Sequence, residues 1–74
     1  MDIGEAVKNL KGGKRVTRKG WNGKNMWLQY VKGMFNDDGI NLLDCVVMKT
    51  VQDTIVPWVC SQTDLLADDY HIVA

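Results

Sequence analysis

Met26-Trp27-Leu28-Gln29-Tyr30-Val31 decides how the rest of the chain is read. Its aromatic and β-branched residues favour a pleated strand, and the two-residue period sets Met26, Leu28 and Tyr30 on one face, Trp27, Gln29 and Val31 on the other. Bulky residues on both faces suit a central strand or one at an interface. Upstream, Ile3, Ala6, Val7 and Leu10 recur at helical spacing, with Asp2 placed to cap the start and Gly12-Gly13 to supply the left-handed stop, so residues 3–11 are predicted to form an amphipathic helix. Between helix and strand, residues 14–18 form a short strand with Val16 and Thr17 as core candidates, ending in a turn at Lys19-Gly20.

Downstream, Gly33, Asn36, Asp37, Asp38 and Gly39 mark residues 32–39 as a loop. Two apolar, β-branched runs at 45–50 and 54–58 are joined by Val51-Gln52-Asp53, a hairpin that lacks the usual glycine. Pro57 has no amide to give to a ladder, which makes the second of these strands an edge. Ser61-Gln62-Thr63-Asp64 ahead of Leu65-Leu66 is a capping box opening a short helix; Asp68-Asp69 closes it, with both carboxylates expected in solvent, and residues 70–73 make a last strand. The sum is an α+β fold in a single domain, residues 1–74. An N-terminal helix packs on a small antiparallel β-sheet, with a second short helix near the C-terminus.

The chain has 74 residues, 46% of them hydrophobic and 24% charged, the composition of an ordinary folded domain. A core this small supplies only about 3–5 kcal/mol, so such chains often add a disulfide, a metal or a second subunit. Cys45 and Cys60 are set among valines and read as buried free thiols; with a single histidine, His71, they do not make up a metal-ligand set. Oligomerisation is the remaining device. No apolar run is long enough to span a bilayer and the first ten residues are amphipathic rather than signal-like, so the chain is expected in the cytoplasm.

The net charge of zero hides an asymmetry. Residues 1–34 hold eight Lys/Arg against Asp2 and Glu5, and residues 35–74 hold Lys49 against seven Asp, which is +6 followed by −6. Two readings are open: the halves neutralise one another on folding or across subunits, or Lys14, Arg15, Arg18, Lys19 and Lys24 form a local anion site.

The search for catalytic machinery points away from an enzyme. His71 sits in a strand-like segment, no signature joins it to Cys45 or Cys60, and no phosphate-binding glycine loop of the Walker or dinucleotide type is present. No cofactor is expected. A binding role fits Arg18-Lys19-Gly20-Trp21-Asn22-Gly23-Lys24 better. A tryptophan on a turn offers a flat surface on which a base stacks, worth about 1–3 kcal/mol. Neighbouring cations suit phosphate, and Asn22 supplies a donor and an acceptor. The competing reading is that Trp21 folds onto the first helix and Asn22-Gly23 is only a tight turn. A second patch, Pro57 to Asp64, combines a helix start that favours an anion with the hydrogen-bonding Ser61, Gln62 and Thr63; its competing reading is a plain cap with Trp58 in the core.

The order Gly13-Lys14-Arg15-Val16, Gly20-Trp21-Asn22-Gly23-Lys24, Val47-Met48-Lys49-Thr50, Val56-Pro57-Trp58 and Ser61-Gln62-Thr63-Asp64-Leu65-Leu66-Ala67, then Asp69-Tyr70, resembles the Thoeris anti-defence 2 family of small phage and prophage proteins. The resemblance spans nearly the whole chain, departing at residues 32–43 and at Tyr70, where the family often has tryptophan. It implies a sponge that sequesters, without cleaving, the cyclised ADP-ribose messenger made by TIR-domain immune enzymes in the infected bacterial cell; some relatives also look able to hold cyclic dinucleotides. It further implies homotetramers with pockets between subunits, with Trp21 and Asn22 as pocket residues and Ser61, Gln62, Thr63 and Asp64 as a second wall. Arg18 and Lys24 are added on physical grounds for the diphosphate. The rival expectation is a nucleic-acid-binding module using the basic first half and Trp21, against which the acidic second half counts.

Overall fold

A computed structural model describes residues 1–33 and 37–73. Helix α1 (Ile3–Lys11) is followed by strands β1 (Arg15–Arg18), β2 (Trp27–Val31), β3 (Cys45–Lys49) and β4 (Ile55–Pro57). Helix α2 (Gln62–Leu66) and strand β5 (Tyr70–Val73) complete the chain. The fold is the α+β arrangement expected: five strands in the order β4-β3-β2-β1-β5, every neighbouring pair antiparallel. Among the described residues, no helix is long and apolar enough to cross a membrane.

Local chemistry sets the ends of α1. The Asp2 side chain accepts from the Glu5 amide, and past the helix Gly13 takes φ +90°, the left-handed step that stops it. Ala6 and Leu10 of its apolar stripe are fully buried, and α1 lies across β1, β2 and β5 and touches α2. Under it sit Val16, Leu28 and Tyr70, which with Ala6 and Leu10 make the buried hydrophobic core among the described residues, flanked by half-buried residues that include Trp21, Tyr30, Met48 and Trp58. Strand β2 is central, and from Trp27 on its alternation falls as predicted, while Met26, expected on the Leu28 face, lies before the strand and lines a cavity with Trp27. Leu28 is buried beneath the helix with Tyr30 packed against the core, and Trp27 lies on the opposite face.

The β3–β4 hairpin closes without a glycine because Asp53 itself takes φ +58°, a conformation that short polar Asp tolerates better than most residues. The Thr50 amide donates to the Thr54 carbonyl and the Asp53 amide to the Thr50 carbonyl. Pro57 stands opposite Val47 on edge strand β4. Of the expected loop at 32–39, residues 34–36 lie outside the described residues. At its base, the Asp44 carboxylate accepts from the Tyr30 hydroxyl and the Gly33 amide, tying the end of β2 to the approach to β3. The Gly33 amide above all, and then the tyrosine, hold the Asp44 carboxyl below the usual carboxylate range.

Two expectations are corrected. Cys45 and Cys60 are unbridged, but both are exposed in the single chain rather than buried. Cys45 opens β3 on the sheet face that no helix covers, and Cys60 lies on the link into α2, so neither reaches the small core. Asp69, expected in solvent, is half-buried and ion-paired with Arg18.

Candidate functional site

The two patches singled out in the sequence meet in space. Residue 21 follows β1 and residue 64 lies in α2, yet the Trp21 indole N–H donates to Asp64 Oδ1 at 3.0 Å. The same oxygen takes the Arg18 guanidinium at 2.6 Å, and Arg18 reaches past it to Asp69 at 2.7 Å. Asp69 in turn accepts from the Gly20 amide at 2.8 Å, so the turn leading into Trp21 is held at its backbone as well as through its ring. On the α2 side, Ser61 Oγ accepts from the Asp64 amide and the Tyr70 hydroxyl donates to the Asp64 carbonyl. The capping box thus forms, and its acidic member also faces Trp21 and Arg18.

The electrostatics follow from this crowding. Burial pushes the Asp64 carboxyl up, but the hydrogen bonds from Trp21, Arg18 and Ser61 together outweigh it, leaving Asp64 below the usual carboxylate range. Asp69 is lowered chiefly by its hydrogen bond from Arg18. The Tyr70 phenol goes the other way: burial first, and the nearby Asp64 charge second, raise it to about 12. Side-chain exposures of 11% for Arg18 and 13% for Asp64 make this a largely desolvated pair, unlike a surface bridge.

Of the eight residues expected to bind a ligand, four are therefore in one bonded cluster: Arg18, Trp21, Ser61 and Asp64. Asn22, Lys24, Gln62 and Thr63 are exposed around it, two on the Trp21 loop and two on the first turn of α2. Trp21 is half-buried against the core, between the two readings the sequence left open. Arg18, expected to face a diphosphate, faces two carboxylates, because the acidic end of the chain folds back onto β1. That contact realises the neutralising reading of the charge asymmetry at one point.

The sequence reading missed Asp69 as a partner of this cluster; its neighbour in the fold is 51 residues away, and no local pattern marks it. It also named Arg15 only within a basic cluster and Trp27 only as a strand residue, without joining the two, whose guanidinium and ring stack at 4.1 Å on the open sheet face. The two-residue period would have found that face, since Arg15 and Thr17 alternate with buried Val16. His71 is on β5, three strands across from Cys45 on β3, a lateral separation of about 14 Å before their offset along the strands is added, too far for a thiol–base pair.

Fold and cluster together define a small α+β domain whose tryptophan loop is anchored by a buried carboxylate. Comparison with known proteins makes this specific. The family described as Thoeris anti-defense 2-like domain matches residues 1–73. A Thoeris anti-defense 2 protein of Bacillus phage SP01 is 40% identical over 86 aligned positions, covering all of this chain and 96% of that protein. The chain belongs to the Thoeris anti-defence 2 family, and its role is anti-defence.

Proposed function

We propose that the protein works by sequestration, binding the cyclised ADP-ribose messenger of TIR-domain enzymes and holding it intact so that the immune effector is never switched on. The observation that carries this reading is the anchoring of Trp21 by Asp64. A ring fixed along its N–H edge, with exposed Asn22, Gln62 and Thr63 on the two segments it joins, is an ordered surface for a nucleobase. Because Arg18 is occupied by Asp64 and Asp69, it acts here as a positioning residue, and Lys24 supplies the charge for the diphosphate.

A second copy of the chain completes the site in this reading. Among the described residues the buried hydrophobic core comprises five, whereas large hydrophobics such as Leu43, Val59 and Leu66 are more than three-quarters exposed. Large apolar side chains left this exposed are candidates for subunit contacts. Enclosing most of a dinucleotide-sized ligand takes several hundred Å³, which two subunits provide more readily than one. A homotetramer with pockets between subunits meets both needs.

To starve an effector the sponge must bind more tightly than its competitor, and nanomolar affinity corresponds to about −12 kcal/mol. The test is to load the protein with messenger, remove the free ligand, denature by heat and analyse what is released. Intact messenger is expected. Recovery of a cleaved product would make the protein an enzyme, and salt-sensitive binding of oligonucleotides without any heat from cyclised ADP-ribose isomers would make it a nucleic-acid-binding module.

A further inference from the structure

The loop that carries Trp21 runs from the end of β1 to the start of β2, and the bonds to Asp64 and Asp69 hold its entry. Its exit is held by a different element, the β3–β4 hairpin. Lys49 ends β3 opposite Trp27 of β2, and from there its ammonium donates to the Asn25 carbonyl at 2.9 Å. Asn25 has φ +62°, a left-handed conformation that a residue other than glycine keeps when its surroundings fix it. The same ammonium pairs with Asp53 in the hairpin turn at 2.7 Å, and the Lys49 side chain is only 17% exposed, so its stem is packed rather than free to swing.

A second contact joins the same two elements. Gly23 lies against the side chains of Val51, in the hairpin turn, and Met26, so close that a Cβ on residue 23 would overlap both. Gly23 is not in the left-handed region, so the position calls for glycine to save space rather than to free the backbone. The turn that carries Val51 is itself braced: the Thr50 and Thr54 hydroxyls are bonded at 2.6 Å, and the Gln52 amide donates to Thr50 Oγ1. Lys49-Thr50, the polar half of the motif Val47-Met48-Lys49-Thr50, thus builds a hairpin whose turn meets the Trp21 loop.

We infer that Lys49 is a positioning residue for the messenger surface: with Val51 it clamps the exit of the Trp21 loop, so that Trp21 and exposed Asn22 stand between two fixed ends. The inference rests on the proposed role of Trp21 in capture. Lys49 acts through the backbone of residue 25 and leaves messenger contact to the loop. A loop released at one end must be ordered again on binding, and that entropy is subtracted from affinity.

Lys49→Met keeps the length of the stem and loses the donors; Lys49→Arg keeps a cationic donor for Asn25 and Asp53. In the ligand-free protein the Trp21 indole resonance, assigned through Trp21→Phe, should shift or broaden in Lys49→Met and return toward the parent position in Lys49→Arg. By calorimetry, Lys49→Met should weaken capture of cyclised ADP-ribose about tenfold. Lys49→Arg should restore it, with the melting temperature of both variants close to the parent. Gly23→Ala should show the same two losses, and adding Val51→Ala should recover part of the capture, since the flexible thioether of Met26 can turn aside. Either an unmoved indole signal or undiminished capture in Lys49→Met overturns the inference, as does an equal loss in Lys49→Met and Lys49→Arg. Failure of Val51→Ala to recover any capture overturns the part given to Val51. A parent protein that captures no cyclised ADP-ribose overturns the Trp21 reading instead, and the indole signal of the ligand-free variants still decides whether Lys49 sets the loop.

Discussion

The Trp21 indole and the Asp64 carboxylate, 43 residues apart in the chain, share a hydrogen bond of 3.0 Å, and Arg18 binds the same carboxylate oxygen at 2.6 Å. One aspartate in the first turn of α2 therefore both pairs with a largely desolvated cation and orients an aromatic ring. Asp64→Ala should cost about 1–3 kcal/mol, because it leaves Arg18 with Asp69 as its one remaining carboxylate and frees the Trp21 N–H. Asp64→Asn keeps the shape but loses the charge, and should retain folding with a less ordered Trp21. Chemical denaturation followed by tryptophan fluorescence separates the two; equal stability of the alanine variant and the parent would remove the cluster from the stability account.

The pH dependence of stability has two limbs. Asp64 and Asp69 are lowered in the folded chain, so their contribution is present above the unfolded carboxylate value of about 4 and is lost as pH falls through the folded values. Melting temperature should drop below about pH 4, and more gently in Asp64→Asn. The check is a thermal melt series in acid, in which parallel curves for the two proteins would sink the assignment.

On the alkaline side the sign reverses. Tyr70 is raised to about 12, so the folded state favours the neutral phenol and this stabilisation, complete below about pH 10, is lost as pH climbs through the folded value. Tyr70→Phe should flatten the stability profile above pH ~10, while at neutral pH it loses the hydroxyl bond to the Asp64 carbonyl, worth about 1 kcal/mol. Tyrosinate absorbance recorded alongside stability tests this directly.

The proposed messenger surface yields its own contrast. Asn22→Ala and Gln62→Ala alter exposed side chains outside the bonded cluster and should weaken messenger capture with melting temperature unchanged. Trp21→Ala should abolish capture and leave the oligomer assembled. Calorimetry with cyclised ADP-ribose and sedimentation measure these outcomes, and undiminished capture by all three variants would move the site elsewhere.

With five buried core residues among those described, single truncations are severe. Leu28→Ala removes a fully buried side chain from the central strand and should cost about 2–5 kcal/mol, comparable with the whole stability of a lone domain of this size. Folding should then depend on protein concentration if subunit contact supplies the balance, measurable as a melting temperature that rises on concentrating the variant.

The sequence by itself determined what local physics controls: the span of α1 from its cap and apolar stripe, β2 from its alternation, the edge position of β4 from Pro57, and β5. It placed Trp21-Asn22 and Ser61 to Asp64 as two separate patches, and the resemblance in their motifs pointed to the family that comparison with known proteins establishes. It misplaced the thiols, because which valine-flanked cysteines reach the core depends on where two helices can cover a sheet of five strands. Only tertiary structure decided that the two patches touch, that Arg18 spends its charge on Asp64 and Asp69, and that Lys49 and Val51 meet the exit of the Trp21 loop. Those relations depend on sheet order and on contacts between residues dozens of positions apart, for which a local pattern carries no signal.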